Sequence, residues 1–195
     1  MAKYELKARA ERMADTRRRI VEATLKLHQT LGPAHTSISA IAAAAGVQRH
    51  TVYSHFPDER DIYMACGSLF ARRNPLPPVE PWRDIAGRSA RINRALLEVY
   101  GFFRDHEREL SPIIRDMPLM PQLVGKRFAP YRESVVAVVT DGWHIRGKRA
   151  VSVRALLDVA LRFETWRALA LEGRLSDVEA AATMAEAVLC VAKKD

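Results

Sequence analysis

The chain has 195 residues, 48% of them apolar, enough to bury a real core in one large or two small compact units. No apolar run approaches the ~20 residues of a membrane helix, the opening residues hold no signal-peptide core, and two distant cysteines fit a reduced cytoplasmic setting. A net charge of +8 points instead to a polyanionic partner, and its distribution is specific: no acidic residue occurs between Glu22 and Asp58, where Lys26, Arg49, His28, His35, His50 and His55 do.

Residues 1 to about 13 are polar and charged, either frayed or helical, and a solvated tail is the reading preferred for them. A first helix is expected from Asp15 as N-cap, with Ile20, Ala23, Thr24, Leu27 and Leu31 on one face, ending at Gly32-Pro33. Thr36 and Ser37 are capping types, and Ile38, Ile41, Ala42 and Ala45 form the inner face of a short second helix. Gly46 stands where a left-handed residue turns the chain sharply. A third helix from Gln48 to His55 then packs through Val52 and Phe56. Small alanines let these two helices approach closely, which makes a helix-turn-helix presenting Gln48, Arg49, His50, Thr51, Tyr53 and Ser54 to a groove.

At this point the sequence becomes more specific. Residues from about Arg17 to Phe70 resemble the DNA-binding domain of the TetR family of transcriptional regulators. The resemblance is carried by the apolar first helix ending at Gly32, Thr36-Ser37, Ile41-Ala42, Ala45-Gly46-Val47, Thr51-Val52-Tyr53 and Phe56, whose offsets agree together. It implies an all-α chain: a three-helix DNA-binding domain, then a helical domain for ligand binding and dimerisation, and repression relieved by a small molecule. Three positions depart from the family pattern. Gln48 and His50 replace small residues, and Glu59 stands where Lys is usual. A carboxylate cannot hold a phosphate, so Arg60 is the expected replacement for that contact.

Asp58 is an N-cap for a fourth helix through Ile62, Ala65, Leu69 and Phe70, and the proline-rich RRNPLPPVEP at Arg72 to Pro81 ends it. Domains are accordingly expected over residues 1–57 and 58–195, with the helix from 58 joining them, and about nine helices in all. A helix from about Trp82 carries Ile85, Ile92, Leu96, Val99 and Phe103. Segments at Glu107 to Asp116 and Leu119 to Asp141 follow, the latter kinked or split at Pro130. Val135 to Val139 has strand propensity but no partner strand, which favours helix. Two closing helices, Lys148 to about Glu172 and Ser176 to about Ala192, hold more apolar surface than one small core absorbs, so they are expected to pair with their copies in a homodimer.

A two-fold dimer sets two reading helices about 34–36 Å apart, in successive major grooves of a near-palindromic double-stranded DNA operator. Arg49 is the first candidate for a base contact, Gln48, His50 and Thr51 are further candidates for base edges, and Thr36, Ser37, Tyr53, His55 and Arg60 are candidates for phosphates. Tyr100, Phe103, Met117, Met120, Phe128, Tyr131, Phe163 and Trp166 are the candidates for an effector pocket, although core packing is the commoner role of each. The effector is expected to be apolar or anionic; a regulator of the same fold controlled by a protein partner, or by nothing, is the alternative. No cofactor is implied. No Gly-rich phosphate loop, G-x-S-x-G or H-E-x-x-H occurs, so an enzyme is not expected. His50 and His55, five apart, do not stack as metal ligands on a helix face, so no metal is expected either.

Overall fold

The computed structural model describes residues 2–120 and 128–193, and among them there are ten α-helices and no strand. The described residues divide between two compact units, one of residues 2–75 and 108–120, the other of residues 76–107 and 128–193. No described helix is long and apolar enough to cross a membrane.

In the first unit α1 (Ala2–Thr30) is a single helix of 29 residues, so the chain is already helical from Ala2 and Asp15 is not a cap. The reason lies in good helix formers laced by ion pairs at helical spacing: Lys7 with Glu11, and Asp15 with Arg18 and Arg19. Its carboxy-terminal half buries Ile20, Val21, Thr24, Leu25 and His28, packing against α2 (Ile38–Ala45) and α4 (Glu59–Arg73). Gly32, at φ 95, ends the run and Pro33 opens a 3₁₀ turn. α4 stays with this unit because Ile62, Cys66 and Phe70 are buried along it. Its N-cap is Asp58, whose carboxylate accepts the Arg60 N–H.

The end of α6 (Glu107–Asp116) closes this unit from a distant part of the chain. The Arg115 guanidinium donates to the Leu31 carbonyl at the end of α1, and the buried Asp116 carboxylate accepts the Ala34 N–H at 3.0 Å. A Cβ on Gly32 would stand 2.2 Å from the Asp116 carboxylate, so both the positive φ and this close approach require glycine there.

In the second unit α5 (Arg88–Asp105) packs on α10 (Asp177–Ala192) and α7 (Ala129–Val139), and α8 (Gly147–Ala160) packs on both α10 and α7. The helix expected from Trp82 starts later, at Arg88. Gly87 has φ 87, and Glu80–Asp84 forms a 3₁₀ turn that buries Trp82 against α5, its indole N–H donating to Glu98. Part of the segment expected from Leu119 to Asp141 lies outside the described residues. Pro130 falls in the first turn of α7, where its missing N–H costs no helix bond, rather than at a kink. Val135 to Val139 is helical, with all but Ala137 buried.

The single helix expected from Lys148 to Glu172 is interrupted. α8 ends at Ala160, Arg162 is extended, and α9 (Phe163–Arg167) runs into a π-helical turn at Ala168–Glu172. The break swings Phe163 and Trp166 into one aromatic cluster with Phe103, rings edge to face or tilted at 5.3 to 6.1 Å. α10 begins with a reciprocal capping box between Ser176 and Glu179.

Candidate nucleic-acid interface

Ser37 caps α2 by accepting the Ala40 N–H, and Gly46 leaves the helix in the left-handed conformation at φ 63. α3 (Arg49–His55) follows two residues later, and only Val52 of its seven residues is buried. Val52 and Phe56 join Ile41, Ala42 and Ala45 in the core beneath, so the rest of the helix is left for solvent or a partner. Gln48, Arg49, His50, Tyr53 and Ser54 are exposed, while Thr51 and His55 are half-buried.

A cavity of about 220 Å³ opens where α2 starts. It is lined by Thr36, Ser37, Arg49, Tyr53, Glu59 and Tyr63 among others, so four of the candidate DNA contacts converge on one recess beside the amino end of an eight-residue helix. Ser37 Oγ accepts from Ala40 and keeps its own O–H to donate, and free N–H groups at a helix start favour an anion. Thr36 spends its O–H on the Gly32 carbonyl, which pins the loop rather than reaching outward. Glu59 is the discordant member, an acid on the wall of an otherwise anion-seeking recess. Arg60, next to it, is exposed on the first turn of α4 and does not line the recess. Thr51 and His55 face a different groove, shared with α1, and Gln48 and His50 lie outside both hollows.

Two arginines of the first helix prove to be scaffolding. The Arg17 guanidinium stacks over the Phe56 ring at 4.3 Å, and Arg19 donates to the Ala45 carbonyl at the end of α2. Both tie α1 to the helix-turn-helix, and neither contact has a short-range sequence signal. Arg18, between them, pairs with Asp15 and Glu22.

Residues 20–66 match the family described as bacterial regulatory proteins, tetR family. That segment, which spans the helix-turn-helix, is a tetR-family DNA-binding region. Over 49 residues it is 41% identical to the HTH-type transcriptional regulator AcrR of Shigella flexneri, a stretch amounting to 25% of this chain and 23% of that protein, so it matches about a quarter of that relative's length. Among solved structures, the chain is similar to a tetR-family transcriptional regulator of Streptomyces coelicolor at 20% identity and a TM-score of 0.59, covering 91% of this chain and 80% of that one. It is also similar to the TetR-family regulator PfmR of Thermus thermophilus at 18% identity and 0.55, covering 88% and 97%. At these identities the likeness is one of fold, and it extends well beyond residue 66.

Beneath the candidate interface lies a polar cluster that sequence reasoning missed. His28 is buried, stacked on Tyr63 at 5.3 Å, with Nδ1 3.5 Å from the Cys66 sulfur. Its Nε2 has no hydrogen-bond partner among the described residues. Burial holds the imidazole neutral, its pKa pushed down to about 4, with the Asp116 carboxylate pulling weakly the other way. Asp116 itself is held below the usual carboxylate range by the Arg115 guanidinium and the Ala34 N–H, against its own burial.

The candidates for an effector site divide between the units. Met117 and Met120 follow α6 in the first unit; Tyr100, Phe103, Phe128, Tyr131, Phe163 and Trp166 belong to the second. Tyr100, Phe103, Phe163 and Trp166 are buried against one another, the Tyr100 hydroxyl donating to the Ala160 carbonyl and the Trp166 indole to Asp177. Arg104 clasps Asp177 with two nitrogens and lies over the Trp166 ring. Tyr131 donates to the Pro77 carbonyl, and Phe128 is the N-cap residue of α7.

Proposed function

We propose that this protein is a sequence-specific DNA-binding transcriptional regulator that acts as a homodimer, and that it is a repressor whose operator binding is relieved by a small apolar or anionic effector. The observation that carries the reading is α3: seven residues with one buried anchor, Arg49 and Tyr53 meeting Thr36 and Ser37 in one recess. Arg49 reads a guanine edge, with Gln48, His50 and Thr51 beside it. Ser37, Tyr53, His55 and Arg60 hold phosphates, as does the backbone at Thr36.

Dimerisation through the closing helices is supported by apolar side chains facing outward on them: Val151 and Val159 on α8, Val178 and Val191 on α10. A single short reading helix contacts few bases, and pairing two of them multiplies specificity. Effector binding shifts operator affinity only if it prefers one arrangement of the dimer over another. A regulator without a small-molecule effector is the second reading, favoured by the way Tyr100, Phe103, Phe163 and Trp166 satisfy one another.

The test is selection of bound duplexes from random DNA with the purified protein, followed by release with a metabolite panel. A palindromic consensus bound by a dimer is expected. Binding that is indifferent to sequence and to salt sinks the reading.

A further inference from the structure

The amino-terminal half of α1 has no core to serve. None of the residues from Tyr4 to Arg19 is buried, yet the helix continues through them, spanning about 24 Å. Its charges are sorted into two stripes. On one, Lys7 pairs with Glu11, and Arg18 with both Asp15 and Glu22. On the other, roughly 130° around the helix, Glu5, Arg9, Arg12 and Thr16 follow each other at three- and four-residue steps.

This second stripe lines an open groove of about 900 Å³ whose opposite wall is Thr51 and His55 of α3. Arg12 touches only a carbonyl of its own helix, through Nε to Ala8, and among the described residues neither Arg9 nor Arg12 pairs with a carboxylate. The acids of this half-helix, Glu5 apart, are thus engaged on the far stripe, while two arginines point along the flank of the reading helix. The groove is too open to enclose a small molecule and carries the charge a polyanionic strand requires.

We propose that the amino-terminal half of α1 is a second DNA-contacting element, in which Arg9 and Arg12, with Thr16, grip phosphates of the strand flanking the bases read by α3. The inference rests on the proposed reading of α3 and extends it: Thr51 and His55 belong to both surfaces, so one continuous track runs from the groove floor of the DNA onto its backbone. Glu5, one turn before Arg9, marks the outer limit of that track. The contact is electrostatic and indifferent to base identity, so it sets affinity and its salt dependence rather than sequence choice.

The experiment measures affinity of the full chain for its selected duplex across a salt series. Arg9→Ala/Arg12→Ala is expected to weaken binding about ten- to a hundred-fold and to flatten the slope of log K against log salt by about 1.8, two phosphates' worth. The preferred sequence stays the same, and Arg9→Lys/Arg12→Lys retains the wild-type slope. Lys7→Gln/Arg18→Gln, on the opposite stripe, removes the same formal charge and is expected to leave the slope unchanged. If Arg9→Ala/Arg12→Ala matches wild type, or if the opposite stripe produces an equal loss, the second element is overturned while the reading of α3 stands. If the wild-type chain binds no duplex selectively, both fall together.

Discussion

Helix α3 and the aromatic cluster of the second unit treat similar residues in opposite ways. In α3, Tyr53 is 41% exposed and every neighbour except Val52 is left accessible, so the helix gains little from folding and is held by the scaffold around it. In the cluster, Trp166 is fully buried, its indole nitrogen is satisfied by Asp177 and its ring faces are covered by Phe103, Phe163 and Arg104. An aromatic ring with its polar atom partnered internally is doing structural duty. One left in solvent beside an arginine and a helix start is available to something else.

Substitutions should separate the two. Trp166→Ala removes the largest part of the cluster and one of the donors to Asp177, and is expected to cost about 3–5 kcal/mol in chemical denaturation while leaving sequence preference on DNA unaltered. The scaffold under α3 has its own signature in acid. His28 stays neutral in the fold down to a pKa of about 4 against an ordinary 6.5, so the unfolded chain takes up the proton first as pH falls. Stability is therefore expected to drop between pH 6.5 and 4, by on the order of 3 kcal/mol from this group. His28→Phe, which keeps a ring against Tyr63, should remove that part of the decline in melting experiments across the same range.

Arg49→Ala inverts the Trp166 result. Folding stability should move by no more than about 0.5 kcal/mol, whereas discrimination at the contacted base should fall by about 1–3 kcal/mol in competition binding. Tyr53→Phe is the smallest change: a loss of about 0.5–1.5 kcal/mol spread evenly over all sites, since a hydroxyl on a phosphate carries no base information. A Tyr53→Phe protein that discriminates differently among sequences would move this side chain from the backbone to the bases.

What was legible beforehand is what depends on near neighbours. Ser37, Gly46, Asp58 and Ser176 act within three or four residues of themselves, and each behaves as its type and position require. The reach of α1 was misjudged because its tail holds no apolar periodicity; ion pairs along its own surface sustain it instead. The break at Arg162 was invisible because no Gly or Pro marks it, and the gain that favours it is aromatic packing against α5. The candidate DNA contacts were named one by one, but nothing local said that Thr36, Ser37, Arg49 and Tyr53 share a recess while Thr51 and His55 turn to another.

Sequence alone therefore determined the helical class, the helix-turn-helix with its glycine corner, and the acid-free run of sequence between Glu22 and Asp58. These follow from caps, periodicity and charge, which act over one turn of chain. Only the tertiary structure decided that Asp116 reaches across 82 residues to hold the loop at Ala34, that Arg17 and Arg19 are braces, and that Arg9 and Arg12 flank α3. Such pairings arise when packing brings together groups whose spacing along the chain carries no signal of their meeting.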